Sequence, residues 1–555
     1  MQSEFAMRSY GLRSGFRQRA LLALSGAVLL ATVVGMRAEE SWTKSRRVVD
    51  LPITVADSAN QCAHLAVLRI PPAVFSLPTG GATVSGTSIV HPDAKKGTSE
   101  YCRVTGEIAS VQTENPPIRF QINLPSRWNR KTVQFGGGGF NGIVISGTDN
   151  FISAPGSISP PLDRGYATFG GDSGHSGMNG KFGLNAEALA NFCGESVKRT
   201  RDLAVAIMKA YYGRAPQRTY YIGGSKGGHE ALVAAQRYGA DYDGAIAYYP
   251  ANQNQAMVLS WHRILHASRG SSWLNPAKQK LLHQKELESC DELDGVADGI
   301  ISNVEGCRKV FAVAALRCKD GVDTGDSCLS DPQINGLMTA AIPLEFAFPL
   351  AFGVTGVGPY PVFAGGDVQG IVYGPNDNGL ATVYNILADG VIRYFIQQDE
   401  SSKPDEFNYL AWQRRIQQIS TLYDATNPDL DTFKGHGGKL IIVQGTTDML
   451  VAPAMTTAYF NQVSARYGSQ TKDFVRYYVE PGFGHGGGAF NLQWDSLSTL
   501  EQWSEHGRPP FNTVATDANS ATKGRSRPIC EYPAWPKYSG AGDVNRAASF
   551  KCVVE

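Results

Sequence analysis

The sequence has little excess charge of either sign. Its 555 residues include 51 lysines and arginines against 50 aspartates and glutamates, a formal net charge of +1. No basic block follows the N-terminal region. Binding to nucleic acid or to an anionic membrane surface needs concentrated positive charge, so this balance argues against both kinds of partner.

Long apolar segments are equally scarce, and the most apolar run lies near the start of the chain. Residues 20–34 are predominantly apolar, about 15 residues where a spanning helix needs roughly 20. Ala38 supplies a small residue for cleavage, and four arginines precede the run: Arg8, Arg13, Arg17 and Arg19. This pattern predicts a removable secretory signal in residues 1–38, the alternative being an uncleaved anchor. We therefore expect a secreted or periplasmic protein without membrane contact after signal removal.

The nine cysteines are spread along the chain, and none forms a CxxC pair that would suggest zinc. Their number agrees with an oxidising compartment, although spacing alone does not fix the pairing. Joining neighbours along the chain would give four pairs: Cys62–Cys102, Cys290–Cys307, Cys318–Cys328 and Cys530–Cys552. Cys193 is left over in a helix-like stretch, where a buried free thiol is the expected state.

Short β-branched or aromatic runs alternate with amphipathic stretches. Each run ends in glycine, proline or a polar turn, as buried strands do. They occupy residues 132–135, 166–170, 219–223, 244–250, 439–445 and 475–482. This alternation predicts an α/β fold, a mostly parallel sheet with helices on both faces. Residues 253–430 break the rhythm and are interpreted as an insertion between two parts of the core, residues 39–252 and 431–555.

A Gly-x-Ser-x-Gly pattern surrounds Ser225 in the stretch GGSKGGHEAL. The chain holds 61 glycines, and on the order of half a match is expected by chance, so the pattern alone is weak. Its context is stronger, because a predicted strand precedes it and a predicted helix follows. Such a turn lifts a serine hydroxyl clear of the sheet, with glycine where the backbone is crowded. The alternative is a glycine-rich turn without chemistry.

A nucleophilic serine needs a base, and the base needs an acid to orient it. In α/β-hydrolases the chain order is serine, acid, histidine. Asp448 follows the predicted strand that ends at Gly445, and His485 follows the predicted strand over residues 475–482. Both lie where the carboxyl ends of strands carry functional residues. His229, one helical turn after Ser225, is expected to pack or hydrogen-bond locally.

Acyl transfer also needs hydrogen-bond donors for an oxyanion. The stretch QFGGGGFNG follows a predicted strand, so Gly139 and Lys226 are the expected backbone N–H donors. The same stretch matches Gly-x-Gly-x-x-Gly, which raises the alternative of a dinucleotide site. Such a site wants an acidic residue about 20 positions on, at a strand end. The nearest, Asp163, follows two prolines instead, so no dinucleotide cofactor is expected.

These residues resemble the tannase and feruloyl esterase family of α/β-hydrolases, which also includes mono(2-hydroxyethyl) terephthalate hydrolases. The resemblance spans about Cys62 to Cys552. It is carried by GGGGFNG, GGSKGGHEAL, CDELDGVADGIISN, DLDTFKGHGGKLIIVQGTTDMLVAP, PGFGHGGG and CEYPAWPKYSGAGDVNRAASFKC. It implies an α/β-hydrolase fold in which residues 253–430 form a large inserted lid domain.

The resemblance also implies an activity. Ser225, Asp448 and His485 would form a catalytic triad, and the substrates would be esters of aromatic acids such as ferulate or gallate. We therefore expect an exported serine esterase that works through an acyl-enzyme intermediate. Two other classes stay open, a catalytically silent binding protein on the same fold and an acyltransferase using the same triad.

The segment CDELDGVADGI concentrates three carboxylates in eight residues, with glycines that let the chain fold round an ion. Calcium takes six to eight oxygen ligands; the alternative is a solvated acidic turn. The spacing is not that of an EF-hand, because Ser302 stands where the closing glutamate belongs. The resemblance implies a structural calcium ion in the lid, bound by three side chains and two backbone carbonyls: Asp291, Asp294 and Asp298, with Val296 and Ile300.

The sequence departs from the family in two places. The family has a disulfide between cysteines flanking the nucleophile and the histidine, where this chain has Gly224 and Gly486. Losing that bridge is expected to loosen the His485 loop and to remove roughly 2–4 kcal/mol of stabilisation. Terephthalate-monoester hydrolases use a lid arginine for the free carboxylate, and Val383 aligns there, with Arg393 nearby. This argues against that substrate, which is kept as the alternative to a phenolic-acid ester.

Overall fold

The computed structural model describes residues 55–93, 99–366, 368 and 380–554. The predicted signal, residues 1–38, lies outside this part of the chain. Among the helices described, none is both long and apolar enough to cross a bilayer.

The strands lie mostly in the first and last thirds of the chain. The first eight are β1 (Arg69–Ile70), β2 (Ala82–Val90), β3 (Tyr101–Ile108), β4 (Ile118–Pro125), β5 (Lys131–Phe135), β6 (Ala167–Gly171), β7 (Arg218–Gly224) and β8 (Gly244–Tyr248). A small hairpin follows, made of β9 (Leu344–Glu345) and β10 (Gly356–Val357). The remaining strands are β11 (Lys439–Gly445), β12 (Val475–Glu480), β13 (Leu492–Gln493), β14 (Val514–Asp517), β15 (Ser526–Pro528), β16 (Trp535–Tyr538) and β17 (Phe550–Val553).

The α-helices are concentrated after β6. They are α1 (Val55–His64), α2 (Ala186–Ala190), α3 (Ser196–Tyr212), α4 (Lys226–Arg237), α5 (Asn254–Ala267), α6 (Pro276–Cys290), α7 (Val304–Val310), α8 (Asp331–Ala341), α9 (Leu380–Gly390), α10 (Gln413–Tyr423), α11 (Asp431–Gly435), α12 (Pro453–Tyr467) and α13 (Ser496–His506). Two π-helical turns, Asn191–Glu195 and Val391–Gln397, adjoin α3 and α9.

Ten strands form one mixed sheet in the order β1-β2-β3-β4-β6-β5-β7-β8-β11-β12. Six neighbouring strands, β6, β5, β7, β8, β11 and β12, pair in parallel, and they are the six predicted runs. The α/β fold is therefore confirmed. The other four, β1 to β4, pair antiparallel and were not predicted. In β3 buried and half-exposed residues alternate, so its apolar signal is diluted.

Helices cover both faces of the parallel strands. On one face Leu500 and Trp503 of α13 share a buried apolar cluster with Ile246 and Ile441 of the sheet. On the other face Leu232 of α4 and residues of α12 pack with the side chains that alternate with these. This double coverage explains why the parallel strands read as continuous apolar runs.

The described residues between β8 and β11 contribute no strand to the ten-stranded sheet. They build a separate apolar cluster in which Trp261 of α5 stacks on Tyr384 of α9, with ring centroids 5.0 Å apart. Helix α5 begins at Asn254 and α11 begins at Asp431, close to the predicted ends of the insertion. The division into domains at residues 253 and 430 stays a prediction.

All nine cysteines lie in the described residues. The four neighbour pairs are confirmed as disulfides: Cys62–Cys102, Cys290–Cys307, Cys318–Cys328 and Cys530–Cys552. Cys193 is the buried free thiol that was expected, and burial raises its pKa to about 12.

Candidate active site

Four of the parallel strands end at the same edge of the sheet, and each is followed by a loop that carries a predicted site residue. Gly139 follows β5, Ser225 follows β7, Asp448 follows β11 and His485 follows β12. Because parallel strands direct their carboxyl ends to one edge, positions up to about 350 residues apart are brought to one region.

Ser225 occupies the tight turn between β7 and α4. Its backbone has φ +59° and ψ −119°, a conformation that a non-glycine residue rarely adopts. A Cβ atom on Gly223 would collide with the backbone of Gly227, and one on Gly227 would lie 2.9 Å from the carbonyl carbon of Gly136. Glycine at both positions lets strand β7, the turn and the glycine loop after β5 pack together, which is the geometry that exposes a serine hydroxyl.

His485 is held by a fully buried carboxylate. Its Nδ1 lies 2.9 Å from Oδ2 of Asp448. The other carboxylate oxygen accepts the backbone N–H groups of Leu450 and Val451 at 2.8 and 2.9 Å, which fixes the carboxylate plane. With Nδ1 engaged as the donor, Nε2 is the ring nitrogen left for a nucleophile.

Ser225 and His485 line two adjoining spaces. The inner cavity is narrow, about 40 Å³, and has an aromatic wall made of Phe140, Phe192, Trp261 and Tyr423. The outer groove is open and about 700 Å³, and it runs along the glycine loop after β5. Helices α5 and α9, which lie between β8 and β11 in the chain, supply one side of the inner cavity, so the site lies between them and the sheet edge.

The glycine loop after β5 is held by residues 172–175, which sequence reasoning missed. Nε2 of His175 donates to the carbonyl of Phe140 at 2.7 Å, and Nδ2 of Asn141 donates to Oγ of Ser173 at 2.8 Å. Gly139 sits in this loop at φ +56° and lines the inner cavity with Ser225. Burial lowers the pKa of His175 to about 4, so the ring is neutral at physiological pH. The only indication of His175 in the sequence is that the stretch SGH closely follows strand β6.

The side chain of Lys226 is buried beside Ser225. Its Nζ donates to Glu230 at 2.8 Å and lies 4.6 Å from the centroid of the Phe192 ring. Glu230 also accepts the hydroxyl of Tyr221 at 2.8 Å. The lysine charge is thus neutralised within the protein, and the backbone N–H remains the group assigned to an oxyanion.

His229 packs locally, as expected. Nε2 of His229 lies 2.6 Å from the carbonyl of Tyr423, and burial lowers the pKa of the ring well below its usual value. Val383 lines the outer groove, whereas Arg393 donates to the carbonyl of Glu400 and lines neither space.

The acidic loop, residues 290–300, carries three carboxylates that already have some hydrogen-bond or ion-pair partners. Asp291 accepts the backbone N–H groups of Asp298 and Gly299, and Asp298 pairs with the guanidinium of Arg527. Oδ2 of Asp294 is buried without a hydrogen-bond partner. Across the part of the chain described, no cluster of three or more acidic, histidine or cysteine side chains has the spacing of a metal site.

Comparison with known proteins agrees with this architecture. The family model described as tannase and feruloyl esterase matches residues 102–553. An uncharacterized esterase from Agrobacterium fabrum is 36% identical over 532 residues, covering 89% of this chain and 93% of the relative. A mono(2-hydroxyethyl) terephthalate hydrolase from Piscinibacter sakaiensis is 28% identical, covering 82% and 85%. The crystal structure of feruloyl esterase B from Aspergillus oryzae superposes with a TM-score of 0.75 at 20% identity, covering 89% of this chain and all of that one.

Fold and family together define the class, an α/β enzyme among the carboxylic ester hydrolases. More narrowly, the chain belongs to the tannase and feruloyl esterase family.

Proposed function

We propose that this protein is a secreted serine esterase that hydrolyses carboxylic esters of aromatic, phenolic acids. One observation carries the proposal. Ser225 in its strained turn and His485, hydrogen-bonded to Asp448, line the same aromatic cavity. Four disulfides and the signal-like residues 1–38 support export.

The proposed reaction has two steps. His485 takes the hydroxyl proton of Ser225 as the serine oxygen attacks the ester carbonyl, and the N–H groups of Gly139 and Lys226 stabilise the oxyanion. When the intermediate collapses, His485 gives that proton to the leaving alcohol. His485 then takes a proton from water, whose oxygen attacks the acyl-enzyme, and returns it to the serine as the acid leaves. Asp448 holds the imidazole and stabilises its charged form.

The two spaces suggest where the acyl half and the alcohol half of an ester would bind. The inner cavity is lined by aromatic and apolar side chains, which match the chemistry of an aromatic acyl group. At about 40 Å³ the cavity has to widen to admit the ring. The outer groove is wide enough for an alcohol of variable size. Ser225 stands between them, where the scissile carbonyl has to lie.

The charge of the lining favours a phenolic acyl group over one with a free carboxylate. Among the described residues lining the inner cavity and the outer groove, Lys226 is the single lysine or arginine, and Glu230 already pairs with it. A separate groove with Lys280 and His283 reaches His485 but is not lined by Ser225. A terephthalate monoester would bury its carboxylate without a cation, at a cost of several kcal/mol.

The test is a panel of methyl ferulate, methyl gallate and a terephthalate monoester, run on wild type and Ser225→Ala. We expect cleavage of the two phenolic esters, little cleavage of the terephthalate, and loss of all activity in Ser225→Ala. A fluorophosphonate should label wild type only. Cleavage of none of the three esters contradicts the aromatic-ester assignment, and a wild type that neither turns over nor is labelled points to a catalytically silent binding protein. Ester exchange with added alcohol, in place of hydrolysis, points to an acyltransferase.

We also propose a structural calcium ion in the acidic loop. It would be bound by the carboxylates of Asp291, Asp294 and Asp298 and by the carbonyls of Val296 and Ile300. The buried, unpartnered Oδ2 of Asp294 supports this, and oxygens that accept an N–H keep a further lone pair for a cation. The ion would stabilise the loop and take no part in the reaction.

Calcium binding is tested by stability. Excess calcium should raise Tm of chelator-treated wild type, because an ion that binds the folded state stabilises it. Asp294→Asn should respond much less, and magnesium should not replace calcium. Equal Tm values with chelator and with calcium, and no calcium in the purified protein by elemental analysis, would exclude the site.

A further inference from the structure

The ring of Tyr249 fills the space between the nucleophile turn and the histidine loop. Tyr249 follows β8 directly and is only 2% exposed. Its ring centroid lies 4.4 Å from that of the His485 imidazole, at an interplanar angle of 47°. The imidazole therefore has Asp448 on its Nδ1 and an aromatic ring against its face.

The same ring lies against two glycines, Gly224 in the nucleophile turn and Gly486 in the histidine loop. A Cβ atom on Gly224 would lie 3.0 Å and 3.1 Å from Cε2 and Cζ of Tyr249. A Cβ atom on Gly486 would lie 3.2 Å from the tyrosine hydroxyl. A side chain at either position would press against the Tyr249 ring, and at position 224 it would also meet Cδ1 of Ile152 at 2.8 Å.

The backbone of Tyr249 is fixed in a conformation that a tyrosine rarely adopts. Its φ is +32°, and its N–H donates to the carbonyl of Val443 in β11 at 2.6 Å. The carbonyl of Tyr248 accepts the N–H of Ser225 at 3.0 Å. This short segment is thus bonded to the strand that leads to Asp448 and to the nucleophile itself. Strain of this kind persists only where the surrounding contacts hold it.

We propose that Tyr249 is a positioning residue that holds the His485 imidazole between Asp448 and Ser225. The inference rests on the proposed function of Ser225 and His485. Burial raises the pKa of the phenol well above its usual value, so Tyr249 exchanges no proton in the reaction. It acts by packing, which restricts the rotation of the imidazole about its hydrogen bond.

Three variants test the role, Tyr249→Leu, Tyr249→Phe and the control Tyr477→Leu. Tyr477 is fully buried on the opposite face of the sheet, where it packs on Phe460 and Tyr532. The control therefore removes a buried tyrosine ring without contact to the histidine. Steady-state kinetics on methyl ferulate, the rate of fluorophosphonate labelling and Tm are measured for all three.

In Tyr249→Leu we expect kcat and the labelling rate to fall together by roughly 10²-fold, the scale of a small misplacement of a catalytic group, with little change in KM. Tyr249→Phe keeps the ring and should stay near wild type. Tyr477→Leu should lower Tm without lowering kcat. This combination separates positioning from general stability.

Three outcomes overturn the proposal. One is a kcat in Tyr249→Leu no lower than in Tyr477→Leu, and another is a Phe variant as slow as the Leu variant. A rise in KM at constant kcat would make Tyr249 a substrate contact. Failure of the proposed substrate class looks different, because wild type is then labelled without cleaving the ester and the labelling rates alone decide the role of Tyr249. A wild type that is not labelled overturns both proposals.

Discussion

At the scale of single residues, the site depends on side chains whose surroundings permit one orientation. Asp448 is the clearest case, because every oxygen of its buried carboxylate has a donor. Two backbone N–H groups bind Oδ1, and His485 and Gln444 bind Oδ2. Such a carboxylate can neither rotate nor be replaced by an amide without turning a donor toward a donor.

Asp448→Asn should lower kcat by about 10³- to 10⁴-fold, because the amide favours the wrong imidazole tautomer. Steady-state kinetics on methyl ferulate check this. The matched control is Asp495→Asn, which changes a carboxylate that caps α13 by accepting the N–H of Ser498. Since asparagine caps helices as well as aspartate, the control should keep its activity. An Asp448→Asn enzyme as fast as the control would remove Asp448 from the mechanism.

His175 makes the stability of the glycine loop after β5 sensitive to acid. Its folded pKa is about 4 against 6.5 for a free histidine, so the unfolded chain binds more protons between these pH values. Stability contributed by the neutral ring is complete above about pH 6.5 and is lost as the pH falls toward 4, by up to about 1.4 kcal/mol per pH unit. Tm should fall less steeply over this interval in His175→Gln than in wild type. Parallel Tm curves for the two proteins would contradict the assignment.

At the scale of elements, helix α5 decides the size of the inner cavity. Met257, Val258 and Trp261 lie on the face of α5 that lines it, beside the nucleophile. Two turns of one helix from the insertion thus close the space that we assign to the acyl group. The sheet edge supplies the residues that we propose to react, whereas helices between β8 and β11 shape the cavity.

Met257→Trp should fill the inner cavity and separate acyl groups by size. We expect kcat/KM for methyl ferulate to fall by at least about tenfold, while an acetate ester of the same alcohol keeps most of its rate. The acetate ester is the internal control for an intact Ser225. Equal losses on both esters would mean that the aromatic acyl group does not bind in this cavity.

At the scale of the whole molecule, the disulfides join segments that are close together in the sequence. They join residues 10 to 40 positions apart and leave the buried Cys193 alone. The nucleophile turn and the histidine loop carry none, and the Tyr249 ring lies between them. The disulfides therefore stabilise segments other than the nucleophile turn and the histidine loop, which are held by packing.

A thiol titration checks this arrangement. Because burial raises the pKa of Cys193 to about 12 and closes access, the native protein should not react with a disulfide reagent. The denatured, unreduced protein should react at one thiol per chain. Rapid reaction of the native protein, or more than one thiol after denaturation, would contradict the pairing.

Much of the architecture could be predicted because it depends on residues that are neighbours in the sequence. The six parallel strands are apolar runs closed by turn residues, and the glycines at 223 and 227 mark a turn that only glycine permits. The antiparallel strands β1 to β4 were missed, since a strand with one exposed face carries a weaker signal. His175 and Tyr249 were missed for a different reason, because their roles lie in contacts with residues distant along the chain.

The sequence by itself determined the family, the proposal that Ser225, Asp448 and His485 act together, and the parallel half of the sheet, since these depend on residue type and on neighbours in the chain. Only the tertiary structure decided what surrounds them: an arginine beside Asp298, a lysine neutralised next to the nucleophile, and a tyrosine ring where two glycines leave room. The reason is physical. Propensity and periodicity act over a few residues, whereas the packing of a ring against an imidazole is fixed only when separate segments fold together.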